Sequence, residues 1–206
     1  MASGRELQFE RLLFFSDAVF AIAITLLVIE VKIPEIEHVS EAALRAALRD
    51  LFPNYIGFLL SFFVIGRFWI GHHRIFGYLK DWDNGLVRIN LLFLATIAFM
   101  PFPTAVIGAY GGTAAAGLFY IGWLLFAGVV NLLLVTYVAR KPALLAAPLT
   151  PQQRHELRSV WLPIVIGLAA LVATQVSAGV AIVVLTLSPL LFSLVLRGLG
   201  RRHRAG

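Results

Sequence analysis

Six apolar stretches dominate the chain, at 12–31, 54–76, 86–109, 114–138, 160–176 and 180–196. Each approaches the roughly 20 residues that a helix needs to cross the hydrocarbon core of a bilayer. No water reaches backbone N–H and C=O groups in lipid, so each spanning segment has to satisfy them as helix. The chain therefore reads as an all-α integral membrane protein. It is expected to be one six-helix transmembrane domain over residues 1–206.

Composition supports this assignment. Only 14% of the 206 residues are charged and 60% are hydrophobic, against about a quarter charged in ordinary soluble domains. The absence of cysteine excludes disulfides, thiolate metal sites and cysteine nucleophiles. A net charge of +6 would suit nucleic acid. Here the basic residues flank apolar blocks, so membrane orientation explains them better and no nucleic-acid partner is expected. The first block contains an acid and lacks a small-residue cleavage site, so it reads as a retained span and not a signal peptide.

The connections set an orientation. Basic residues precede the first stretch and fall between the second and third, between the fourth and fifth, and after the sixth. The opposite side carries Lys32, Arg45 and Arg49 on one connection and no charge near Gly111 or Ser177. The positive-inside rule then places both termini in the cytoplasm. Pro101 and Pro103 are expected to kink or shorten the third span; Pro163 and Pro189 fall in the last two. Ser40 reads as the N-cap of a short amphipathic helix on the outer connection. Thr150-Pro151 reads as a capped helix start on the inner side. No internal repeat is evident, which weakens an inverted-repeat transporter reading.

Polar residues inside the spans carry the functional argument. An aspartate in a lipid-spanning helix costs about 2.5–3.5 kcal/mol on insertion scales and normally has a partner. By helical rise, Ser16, Asp17, Trp69, His72 and Asn90 share a depth, although they belong to three spans. They are expected to form a buried layer around the Asp17 carboxylate. Two readings stand for it: structural glue, or a proton relay using His72. His72 and His73 point in different directions and no further ligands cluster, so no metal site is expected. On the first span, Ala18, Ile22, Thr25, Leu26 and Ile29 fall along one side. By the residues alone this stripe suits lipid contact, ordinary packing or a pore lining.

The combination resembles the transmembrane protein 175 family of potassium channels. The matching residues are Arg11-x-x-x-Phe15-Ser16-Asp17, Trp69-x-x-His72 followed by Arg74-Ile75-Phe76, and Asn90-Leu91 followed by Pro101-Phe102. One six-span repeat per chain is similar to the bacterial form. The resemblance implies a homotetramer in a bacterial inner (plasma) membrane, with the first helix of each subunit lining a central pore. It implies that Ile22 forms the narrowest apolar ring, with Leu26 and Ile29 towards the outside. Thr25 is implied to supply a hydroxyl ring, so that K+ passes transiently near Ile22 and Thr25. Arg11, Phe15, Ser16, Asp17, Trp69, His72 and Asn90 are implied to pack the first three helices. No cofactor is expected, and the permeant ion is K+.

The residues fit this expectation. There is no Thr-Val-Gly-Tyr-Gly filter and no arginine-repeated voltage sensor. Arg67, alone in the second span, reads as internally paired or snorkelling. Glu30, Glu35, Glu37 and Glu41 fall at the outer mouth, as an ion-concentrating ring or a solvated loop. The alternatives are a proton-coupled transporter or proton-permeable channel using Asp17 and His72, and a non-conducting scaffold. An enzyme is not expected, because the spans offer neither paired acids nor an activated nucleophile.

Overall fold

The computed structural model describes residues 4–158 and 160–173. Its regular elements are α1 (Gly4–Leu26), α2 (Glu41–Asp50), α3 (Phe52–Phe76), α4 (Asn84–Ala98), α5 (Pro101–Tyr110), α6 (Ala114–Ala139), α7 (Pro151–Arg158) and α8 (Trp161–Ala173), with short 3₁₀ turns at Leu27–Glu30 and Pro142–Leu144. Among the described residues four segments are long and apolar enough to cross a membrane: Gly4–Glu30, Phe52–Phe76, Asn84–Tyr110 and Ala114–Ala139. They overlap the first four apolar stretches of the sequence, but the first helix starts at Gly4, eight residues before the apolar stretch at 12–31, because its polar first turns are helical too. Helix α8 carries the described part of the fifth. The sixth stretch, Pro189 and the arginines after it lie outside the described residues.

Helix α1 packs against α3 and α4; α3 packs on α5, and α6 lies against α4, α5 and α8. Lipid offers helices no hydrophobic reason to associate, so small residues matter for close approach. Gly57 and Gly108 supply it between α3 and α5. A Cβ at Gly108 would meet Asn54 Nδ2 at 2.9 Å and Asn54 Cα at 3.3 Å, and one at Gly57 would lie 3.8 Å from Gly108 Cα.

The third span breaks as its prolines require. Helix α4 ends at Ala98, and α5 begins at Pro101, because proline has no N–H to continue the ladder. Met100 N–H turns to the Ile97 carbonyl at 3.1 Å, and the Thr96 carbonyl it would have bonded accepts from Trp123 Nε1 at 3.0 Å. Thr104 Oγ1 lies 2.8 Å from the Met100 carbonyl and 2.7 Å from Ser61 Oγ, which is 2.9 Å from the Tyr120 hydroxyl. Neighbouring helices thus fill the groups that a break exposes, the condition under which lipid tolerates one.

Both short helices on the connections have the expected caps. Ser40 Oγ accepts from Ala43 N–H at 3.1 Å, and α2 buries none of its residues. Thr150 Oγ1 accepts from Gln153 N–H at 3.2 Å, while Gln153 Oε1 accepts from Thr150 N–H at 2.8 Å. That reciprocal pair is a capping box at the start of α7.

Candidate functional site

Helix α1 has two unlike faces. Ser16, Phe20, Ala23 and Leu27 recur at helical spacing and are essentially buried. The other side carries Ala18, Ile22, Thr25, Leu26 and Ile29, all exposed. Ile22, Leu26 and Ile29 are 58%, 40% and 65% exposed, so nothing in the described fold covers this stripe. The helix tightens to 3₁₀ over Leu27–Glu30. Residues three apart eclipse in that geometry, which brings Ile29 towards the row of Leu26. Thr25 Oγ1 donates back to the helix, 2.9 Å from the Ile22 carbonyl and 3.1 Å from that of Ala21. Its proton is used inside the helix, so the hydroxyl oxygen remains as an acceptor on the exposed face.

Behind the stripe lies the polar layer, with a connectivity the sequence did not suggest. The residues do not gather around one carboxylate. Trp69 Nε1 donates to Asp17 Oδ1 at 2.9 Å. His72 instead faces Asn90, with Nε2 2.8 Å from Asn90 Oδ1, and Asn90 Nδ2 donates to Ser16 Oγ at 3.0 Å. Ser16 Oγ donates onward to the Leu12 carbonyl at 2.9 Å. With Asn90 Nδ2 the donor to Ser16, its oxygen has to accept, so the proton sits on His72 Nε2. Donors point one way, from imidazole through amide and hydroxyl to a backbone carbonyl. Of the imidazole, indole or amide expected to donate to Asp17, the Trp69 indole does so, whereas His72 and Asn90 bond to each other and to Ser16: an azimuthal offset of one residue along α1 separates Ser16 from Asp17, and only Ser16 turns fully inward.

The two arms differ in exposure. Ser16, His72 and Asn90 are buried. The His72 ring stacks on Phe76, with centroids 4.1 Å apart, and tilts against Phe20 at 5.4 Å. Asp17 is only half-buried and Trp69 is exposed. Arg11 and Phe15 stand apart from both arms on the exposed side of α1. With Gln8, Leu12, Trp82 and Val87 they line an open groove of about 440 Å³. Among the described residues no three His, Asp or Glu side chains cluster as metal ligands.

The end of the bundle at the α1 amino terminus is tied by ionic contacts between residues far apart in the chain. Arg5 Nε donates to Asp81 Oδ1 at 2.6 Å, and Arg5 Nη2 to the Trp82 carbonyl at 3.0 Å. Asp83 caps α4 by accepting from Leu86 N–H at 2.8 Å, and it also accepts from the Tyr137 hydroxyl at 2.8 Å and Lys141 Nζ at 3.3 Å. The Arg5 bond, with the Trp82 N–H, holds the Asp81 carboxyl below its ordinary 3.8. Burial opposes ionisation of Asp83, but the Leu86 N–H, Tyr137 and Lys141 outweigh it and keep that carboxyl below 3.8 as well. A depressed folded-state value stabilises fully above the unfolded value and is lost as pH falls through the folded one. Thermal stability in detergent is therefore expected to drop as pH falls below 3.8. Asp81→Asn with Asp83→Asn should flatten that drop; an unchanged acid profile would place the sensitivity elsewhere.

Comparison with known proteins gives a consistent set of likenesses. The family model described as endosomal/lysosomal potassium channel TMEM175 matches residues 11–101. A potassium channel of Chamaesiphon minutus is 38% identical over 149 residues, 71% of this chain and 72% of that protein. A potassium channel of Streptomyces collinus is 43% identical over 96 residues, 47% of this chain and 46% of that protein. Among solved structures, a lysosomal potassium-selective channel TMEM175 homologue from Chamaesiphon minutus aligns with a TM-score of 0.80 at 30% identity, over 91% of this chain and 97% of that one.

Proposed function

Because the chain belongs to the TMEM175 family, we propose that it is a potassium channel whose pore is formed by four copies of α1 around a common axis. The observation that carries this reading is the division of α1 into two faces. Its inner face is packed on α3 and α4, while Ile22, Leu26 and Ile29 stand uncovered on the other side. Four such stripes facing one another make a throat of branched apolar side chains. An apolar constriction gates by excluding water when tight, and a small rotation of α1 widens it enough to admit ions. Thr25, with its oxygen free to accept, offers a ring of ligands one turn above Ile22. Selectivity for potassium over sodium is then modest, because few oxygens replace the hydration shell.

In this reading six helices per subunit span the bacterial plasma membrane, with both termini in the cytoplasm, as the basic connections require. The buried layer supports the pore helix and does not conduct. Asp17 and His72 are not hydrogen-bonded to each other, and the His72 chain ends on a backbone carbonyl. An amide in mid-chain is a poor proton carrier, so this geometry favours support over a proton relay.

The test is ion flux through purified full-length protein in liposomes. Potassium should move down its gradient, sodium less readily, and a large organic cation not at all. Absence of potassium flux after verified reconstitution would remove the channel reading in favour of a scaffold. Saturable uptake of a solute coupled to protons would replace it with a transporter.

A further inference from the structure

Arg67 lies within α3, seven residues and about 10 Å of helix rise before Arg74. It is exposed, and none of the hydrogen bonds or ion pairs among the described residues involves it. A guanidinium has five N–H donors and keeps its proton, and a charge at membrane depth without an anion is costly. The helix period puts Leu59, Phe63, Arg67, Ile70 and Arg74 on one stripe, opposite the buried Ser61, Ile65, Phe68 and His72. Phe63 is 68% exposed and Ile70 45%. Arg67 thus faces away from the described core and away from the Trp69–Asp17 contact.

Among the described residues no carboxylate suits it. Within the described spans acids occur only in Gly4–Glu30, and Asp17 already accepts from Trp69. Beyond Glu156 the sequence contains no acidic residue at all. A second copy of the chain therefore has little to offer at this depth. The flexible stem lets Arg67 reach towards the Arg74 level, where Arg74 uses Nη1 on Glu156 Oε2 at 3.5 Å and keeps its other donors. Two guanidinium groups against one carboxylate leave a net positive charge at the headgroup level. Phe63 and Leu59 continue the stripe towards the bilayer centre as an apolar track.

The geometry points to a binding site for an anionic phospholipid on the outer face of α3, its phosphate held by Arg67 and Arg74 and an acyl chain lying along Phe63 and Leu59. The leaflet is the one at the carboxyl end of α3. Arginine suits a phosphate diester because its planar fork offers paired N–H groups to two oxygens.

The experiment places the full-length protein in vesicles of phosphatidylcholine, with and without phosphatidylglycerol, and reads retained lipid by native mass spectrometry alongside thermal unfolding. Wild type should retain phosphatidylglycerol preferentially and unfold at higher temperature in its presence. Arg67→Leu should lower that preference on the order of fivefold, the factor for losing one basic contact at an anionic surface, and should lose the thermal gain while remaining as stable as wild type in phosphatidylcholine alone. Arg67→Gln, closer in shape and polarity, carries the same comparison and should show the same loss. Inorganic phosphate added to phosphatidylcholine vesicles should give no thermal gain; a gain equal to that from phosphatidylglycerol would assign the site to free phosphate and overturn the lipid. Equal lipid preference in wild type and either variant would also overturn the proposal. So would disassembly of both variants in phosphatidylcholine, which would mean Arg67 pairs with protein. Lipid retention is read independently of ion flux, so this inference and the channel reading fail separately.

Discussion

Ile22→Asn is expected to raise potassium flux in liposomes by roughly an order of magnitude, equivalent to lowering the barrier by about 1.4 kcal/mol, and to reduce discrimination against sodium. Ile22 stands on the exposed face of α1, well separated in azimuth from the packed residues Ser16, Phe20 and Ala23. Four branched side chains meeting there would exclude water, and an ion would shed hydration without replacement. Asparagine is shorter, and its amide both wets the ring and offers an oxygen to the cation. Because the side chain contacts little of the described fold, the substitution should leave thermal stability close to wild type. Flux indistinguishable from wild type, with assembly intact, would show that the constriction lies elsewhere or that this face meets lipid.

Asn90→Ala should be the most damaging single truncation in the polar layer, at about 2–4 kcal/mol. Individual hydrogen bonds between membrane helices average only about 0.6 kcal/mol. The larger cost comes from the partners left behind, about 1–3 kcal/mol for each stranded buried group. Asn90 is the middle of its chain: its loss leaves His72 Nε2–H without an acceptor and Ser16 Oγ without a donor. His72 sits among Phe20, Phe76 and Phe93, and Ser16 is fully buried, so neither group is placed to trade the missing amide for bulk water. Asp17→Asn should cost far less, because its amide oxygen still accepts from Trp69 at a half-buried position. Thermal unfolding of the two variants in one detergent compares them directly. Equal stability of Asn90→Ala and wild type would mean that the layer does not hold α1, α3 and α4 together.

Much of the architecture was legible in advance because lipid imposes a strict rule on backbone polarity. The first four spans, the Ser40 and Thr150 caps and the break before Pro101 all follow from local chemistry: apolar length, hydroxyls that accept N–H groups, and an imino acid without a donor. The residues of the polar layer were also visible, since charge and amide groups at similar depths in an apolar sequence need partners. Their pairing was not visible. Helical rise gives depth, but which of two adjacent side chains, Ser16 or Asp17, turns inward depends on the rotation of α1 against α3 and α4. The Asp81 and Asp83 contacts were missed for a related reason. They link residues 54 to 76 positions apart in the chain, and nothing local marks Tyr137 as the partner of a helix cap.

The amino-acid sequence alone determined that this chain spans a membrane as helices and roughly where its first four spans lie, because those properties depend on short-range polarity and on the thickness of the bilayer, although α1 begins at Gly4, eight residues before the apolar stretch that marks it. Tertiary structure alone decided which side of α1 is packed and which is bare, that His72 answers to Asn90 and not to Asp17, and that no ion pair among the described residues involves Arg67. Each of those depends on the relative rotation of packed helices, a property set by the fit of many side chains at once and carried by no single segment.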